Sequence, residues 1–143
     1  MLGAFTIIKN EAHWVGFSML AAMKAGVQSF VYFDGNSTDG TKEIIEYIRY
    51  KYGVRADLCL GADPKDLQDD YVEVFNACLK EVKAEHAFFL HPDMICSGKF
   101  VPSRGALAHW TEMKSFAGNP FGPIHQFTQG RTDRWKNIMA NKL

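Results

Sequence analysis

Through the first hundred residues, short apolar runs alternate with longer segments whose apolar side chains recur every three or four positions. Ala4 to Ile8, Phe30 to Phe33 and Ala87 to Leu90 are runs of the first kind, rich in aromatic and branched residues as strands buried on both faces are; Arg55 to Leu60 is a weaker one. Between the first two, Trp14, Val15, Phe17, Met19, Leu20 and Met23 predict a helix from about Ala12 to Ala25. It is apolar on most sides, so it should be largely covered. Asn10 can cap its start, and Gly26 stands where a left-handed cap is favoured. Thr41, Ile44, Ile45, Ile48 and Tyr52 predict a second helix over 41–52, with Ser37 or Thr38 as its cap and Gly53 as its stop. Asp63-Pro64 opens a third, carried by Leu67, Tyr71, Val74, Phe75, Cys78, Leu79 and Val82. Strands that alternate with helices in this way need crossovers, and crossovers give an α/β fold: a mainly parallel sheet in a three-layer α/β/α arrangement.

After about residue 96 the pattern loosens. Lys99 to Pro102 reads as a short strand and Gly118-Asn-Pro-Phe-Gly-Pro123 as a loop. His125 to Thr128 reads as an edge strand, and Arg131 to Leu143 as a basic terminal helix.

The strand ends are where chemistry is expected, because ligands of open α/β sheets lie in the crevice beyond the carboxyl ends of the strands. The run Phe30 to Phe33 stops at Asp34-Gly-Asn-Ser-Thr-Asp39-Gly-Thr41, and the last run stops at His91-Pro92-Asp93, where proline ends the ladder. In a parallel sheet both ends lie on one edge, so Asp34 and Asp93 should converge there. Read singly, the first segment is equally a well-capped loop and the second an ordinary strand-ending turn.

Composition narrows the ligand. The 143 residues suit one domain, and 47% hydrophobic content is enough for a core. Sixteen basic residues balance 16 acidic ones, so no broad field draws the chain to nucleic acid or an anionic membrane, and a small specific ligand is expected. Cys59, Cys78 and Cys96 have no paired ligand spacing and read as reduced thiols. No export leader and no apolar run of ~18 residues is evident, so no membrane span is expected and the cytoplasm is the default address.

Thr6-Ile-Ile-Lys-Asn-Glu11, an apolar helix ending at Gly26, and Val31-Tyr-Phe-Asp34-Gly-Asn-Ser-Thr-Asp39-Gly-Thr41 together resemble the opening of family 2 and related inverting glycosyltransferases of the GT-A fold. With the fourth strand the resemblance runs to about residue 96. It implies a single GT-A-like domain over 1–143, with a nucleotide-sugar-binding half to about residue 96 and a short acceptor part after it. It also implies transfer of a sugar from a nucleoside-diphosphate sugar, UDP-linked by expectation, to a hydroxyl acceptor with inversion. By the same resemblance Glu11, Asp34, Asn36 and Asp39 lie at the nucleotide, with Asp39 rather bracing the helix, and Asp93 matches the last Asp of the D-x-D element that holds Mn²⁺ or Mg²⁺. His91 stands where the first Asp of that element is usual, which leaves metal affinity and metal choice open. His125 is a further candidate ligand, Arg131 and Arg134 candidate diphosphate contacts, and Glu112 and Asp133 the weak candidates for the general base that inversion needs.

Two rivals stand beside that reading. A nucleotidyltransferase would carry a Gly-rich basic signature after the first strand, and Lys9-Asn-Glu-Ala lacks it. A non-catalytic or degenerate nucleotide-sugar-binding module, or a fragment of a larger transferase, is favoured by His91 and the short C-terminal part. A homo-oligomer sharing an acceptor site through Trp110, Phe116, Phe121 and Trp135 would restore catalysis.

Overall fold

The computed structural model describes residues 1–60 and 71–100. In chain order the elements are β1 (Leu2–Ile8), α1 (Val15–Ala25), β2 (Ser29–Asp34), α2 (Thr41–Tyr52), β3 (Arg55–Leu60), α3 (Tyr71–Glu81) and β4 (His86–Phe89). The four strands form one sheet in the order β3-β2-β1-β4, and every neighbouring pair is parallel. The α/β expectation is therefore met, and β1 lies between β2 and β4 with all seven of its residues buried.

Alternation along the strands sorts the core into two layers. Leu2, Ala4 and Ile8 of β1 face the same way as Phe30 and Tyr32 of β2, and pack with Val15, Met19 and Ala22 of α1 and Ile45 and Ile48 of α2. Phe5, Ile7 and Val31 face the other way, toward Cys78 of α3 and Val82 just beyond it. Each such fully buried large apolar side chain contributes roughly 1.5–3 kcal/mol relative to an exposed one. Three layers result, and the strand ends that precede α1 and α2 open on one edge.

Several local expectations change. The turn that leads into α1 is made by the carbonyl of Glu11, which accepts from the amides of Trp14 (3.0 Å) and Val15 (2.9 Å), so the helix proper starts at Val15 rather than Ala12. Asn10 does not cap it; no side chain does. At the other end Gly26 takes the left-handed conformation, φ 111°, and closes the helix on the carbonyls of Ala22 and Met23. α1 is less covered than its composition suggested, with Phe17 55% and Leu20 37% exposed. The reason is that the core layer takes in only the face of α1 that carries Val15, Met19 and Ala22. In α2 the cap position falls on Gly40, not on Ser37 or Thr38. The predicted opening of the third helix at Asp63-Pro64 lies outside the described residues. Among the described residues no helix is long and apolar enough to cross a membrane.

One core feature works against stability. Tyr32 is 1% exposed and its hydroxyl has no hydrogen-bond partner among the described residues, nor does the hydroxyl of Thr6, its register partner on β1. Burial pushes the phenol well above its ordinary pKa, so it stays neutral. A buried unsatisfied hydroxyl costs about 1–3 kcal/mol, whereas the ring, stacked on Phe30 at 6.0 Å, is favourable. Tyr32→Phe is therefore expected to leave urea-unfolding stability unchanged or raise it by roughly 1 kcal/mol; a clear loss would mean that the hydroxyl has a partner in the folded state.

Candidate functional site

The loops that follow β1 and β2 are joined to each other before any ligand is considered. Both leave their strands through an asparagine with positive φ, Asn10 at 55° and Asn36 at 61°, a conformation that asparagine tolerates better than most residues. The Gly35 amide donates to the Ile8 carbonyl (2.8 Å), continuing the β1–β2 pairing by one bond past the strand end. Side chains then take over. The Asn10 amide donates to Ser37 Oγ (2.9 Å) and the Thr38 amide to Asn10 Oδ1 (2.9 Å). The Glu11 amide donates to Thr41 Oγ1 (2.8 Å), and the Ala12 amide to Asp39 Oδ2 (3.0 Å). Asn10, expected to cap a helix, instead ties two loops together.

Asp34 sits beneath this assembly. It is 1% exposed, and its carboxylate accepts from the Ser37 amide at 3.2 and 3.1 Å and from the Ser37 hydroxyl at 2.5 Å. Lys42 Nζ, on a half-exposed side chain, lies 3.9 Å from Oδ2. The charge is thus satisfied inside the loop, as a buried carboxylate must be. Asp39 is exposed; its Oδ1 accepts from the amide (3.1 Å) and hydroxyl (2.5 Å) of Thr41 at the start of α2. The Thr41 hydroxyl is the largest of the influences that hold its carboxyl below the usual range.

The third strand end contributes His91 and Asp93. Pro92 between them is buried, the Leu90 amide donates to the Phe5 carbonyl (2.9 Å), and the Met94 amide closes a turn on the His91 carbonyl (3.0 Å). From α1, buried Ser18 reaches the same carbonyl with its hydroxyl (3.4 Å). These contacts hold the main chain while the side chains of His91 and Asp93 stay 52% and 65% exposed, with His91 Nδ1 3.1 Å from Asp93 Oδ1. Phe89 packs edge-on against the imidazole at 5.4 Å.

On this edge the Asp93 charge acts on Glu11, while Asp34, which the sequence pattern placed beside Asp93, is engaged with Ser37. Partial burial pushes the Glu11 carboxyl above its ordinary range, the Asp93 charge adds to the rise, nearby His91 opposes it, and Asp39 adds slightly. The cause is topological: β1 is flanked by β2 and β4, so its trailing loop lies between the other two. Asp34, at the end of β2, turns inward to Ser37.

Among the described residues no group of three or more His, Cys, Asp or Glu side chains is arranged to hold a metal ion. The donor set nevertheless fits a hard divalent cation of the Mg²⁺ or Mn²⁺ type. Such ions are commonly bound through one or two carboxylates together with water and substrate phosphates, not by an all-protein cage. Asp93 Oδ2 and the Glu11 carboxylate are the oxygen donors on this edge that would take part in such a site. His125, Glu112, Arg131, Asp133 and Arg134 lie outside the described residues. Lys42, outside the residues that the motifs single out, is brought to the loop by the first turn of α2; a cation two residues past the Asp-Gly pair was its signal.

By sequence, no family model matches the chain and no curated protein does. Solved structures do show a likeness. The mannosyltransferase PcManGT from Pyrobaculum calidifontis, in complex with GDP-Man and Mn²⁺, aligns over 66% of this chain at a TM-score of 0.54 and 15% identity. S. aureus TarS, residues 1–349, solved also in complex with UDP, aligns over 64% of this chain at 19% identity with TM-scores of 0.49 and 0.48. The chain spans 28% of the length of the mannosyltransferase and 27% of that of TarS 1–349. By fold, then, the chain is similar to GT-A-like glycosyltransferases.

Proposed function

We propose that this chain is the nucleotide-sugar-binding part of a glycosyltransferase, with residues to about 96 receiving the donor and the remainder belonging to the acceptor side. The observation that carries the reading is the placement of Glu11, His91 and Asp93 beyond the carboxyl ends of the neighbouring parallel strands β1 and β4, with His91 Nδ1 3.1 Å from Asp93 Oδ1. Two carboxylates that repel each other beside exposed polar loops cost stability unless a cation or ligand uses them.

In this reading Asp93, with Glu11 beside it, would hold Mn²⁺ or Mg²⁺ against the diphosphate. The cation would neutralise the negative charge that grows on the departing nucleoside diphosphate. His91, hydrogen-bonded to Asp93, holds that carboxylate in place and keeps Nε2 for a phosphate or sugar oxygen. Asn36 and Glu11 meet the nucleotide, with Asp34 shaping the loop from below. Arg131 and Arg134 would clamp the diphosphate, His125 would join the metal, and Glu112 or Asp133 would take the acceptor proton in an inverting transfer. The donor is a UDP- or GDP-linked sugar: UDP follows from the resemblance of the opening motifs, and GDP from the ligand of PcManGT.

The test is calorimetric titration of UDP and of GDP into the protein with and without Mn²⁺, on wild type and Asp93→Ala. Metal is expected to tighten one nucleotide by about tenfold or more, which is 1.4 kcal/mol or more, and Asp93→Ala to abolish that gain. Absence of any nucleoside-diphosphate binding would overturn the reading. The second reading, a binding module without catalysis, is favoured by His91 in place of an aspartate. It predicts metal-dependent binding but no donor hydrolysis or transfer under the same conditions.

A further inference from the structure

A threonine hydroxyl has one proton to donate and two lone pairs with which to accept. Thr41 donates its proton to Asp39 Oδ1, so toward the Glu11 amide, 2.8 Å away, it can only accept. The other Asp39 oxygen accepts the next amide in the chain, that of Ala12. One exposed carboxylate on the β2–α2 loop therefore orients two consecutive amides of the β1–α1 loop, one directly and one through a fully buried hydroxyl. The arrangement has a direction. An acceptor is needed at both oxygens of residue 39, and only an ionised carboxylate supplies both.

We propose that Asp39 is a positioning residue of the candidate site: directly at Ala12 and through Thr41 at Glu11 it fixes the main chain, and so sets where the Glu11 carboxylate stands on the edge that carries Asp93. The ligand half of the proposal rests on the nucleotide reading above; the hydrogen-bond relay does not. In this proposal Asp39 acts through these hydrogen bonds and not by contact with the ligand. Its substitution acts on the site because Glu11 also makes the turn that starts α1, so an error in its main chain is carried to the side chain and not absorbed by a free loop.

Three variants separate this from a general loosening of the loop. In Asp39→Asn the amide group offers one acceptor and one donor, so whichever way it is flipped an N–H faces an N–H. Thr41→Val removes the relay hydroxyl at nearly constant volume, and Thr41→Ser keeps it. Amide hydrogen exchange of Glu11 and Ala12 is measured against Val31 and Tyr32 in the sheet, and the UDP and GDP titrations with Mn²⁺ are repeated. Asp39→Asn and Thr41→Val are expected to speed exchange at Glu11 and Ala12 by about tenfold with little change at the sheet amides. They are also expected to weaken nucleotide binding by about tenfold, with Thr41→Ser restoring both. Unchanged exchange in Asp39→Asn would overturn the relay, and so would a Thr41→Ser variant as impaired as Thr41→Val. Altered exchange with wild-type nucleotide affinity would overturn the placing of Glu11. Should wild type bind no nucleoside diphosphate, the nucleotide reading fails, and the exchange data alone decide the relay.

Discussion

Gly3→Ala is expected to destabilise the fold by about 1–3 kcal/mol or more, although alanine is the smallest side chain that can be added and strands accept it elsewhere in this sheet. Gly3 lies in β1, paired with Ser29 on one side and Ala87 on the other. A Cβ there would come within 2.4 Å of Val82 Cγ1 and 2.9 Å of Ala84 Cβ, both far inside contact distance. Neither neighbour yields easily. Val82 is fully buried and β-branched, and its amide is held by the Cys78 carbonyl (3.1 Å). The Ala84 amide donates to the Val82 carbonyl (3.0 Å), while the next two amides, of Glu85 and His86, reach the Met1 carbonyl at 3.2 and 3.3 Å. The segment from α3 to β4 is thus pinned against the start of β1. Relief would have to come from moving α3 or from shifting β1 within the sheet. Urea unfolding of Gly3→Ala, Val82→Ala and the double variant checks this. The two losses should be strongly less than additive, since removing the valine methyls opens the space the new methyl needs. Simple additivity would show that the clash is relieved elsewhere.

Asp34→Ala is expected to cost roughly 2–4 kcal/mol and to abolish nucleotide binding with it. The carboxylate is buried and accepts from both the amide and the hydroxyl of Ser37, itself buried. Deleting it leaves two donors of Ser37 without a partner, and a donor bound to a charged acceptor is worth about 1.5–3 kcal/mol. The loss then spreads, because the Ser37 hydroxyl also receives the Asn10 amide, the first of the ties between the two loops. Lys42 is a competing explanation for the value of Asp34, and magnitude decides against it. Its ammonium is 3.9 Å away and its side chain 42% exposed, so the ion pair is worth at most about 1 kcal/mol. Lys42→Met should therefore lose far less in urea unfolding than Asp34→Ala. Equal losses would assign the carboxylate to the lysine and not to Ser37.

The alternation of apolar runs and helical spacing was enough to place all seven described elements in order, because strands buried on both faces and helices with one buried stripe leave different marks in the chain. It also placed Asp93 and Glu11 at strand ends, and Gly26 at a helix end where its φ is 111°. A local rule sufficed for each: proline cannot continue a ladder, and glycine alone takes the left-handed cap without strain. That Glu11 and Asp93 end neighbouring strands was out of reach of such rules, since it depends on β1 standing between β2 and β4, and strand order is set by how crossovers pack. The fate of Asp34 was hidden for the same kind of reason. A carboxylate after a strand reads alike whether it faces the crevice or folds back onto Ser37, and only the packed loop, closed by Asn10 from the loop after β1, makes the choice. Asn10 itself looked like a helix cap because its local sequence allows one, yet a tertiary partner, the Thr38 amide, took its oxygen first.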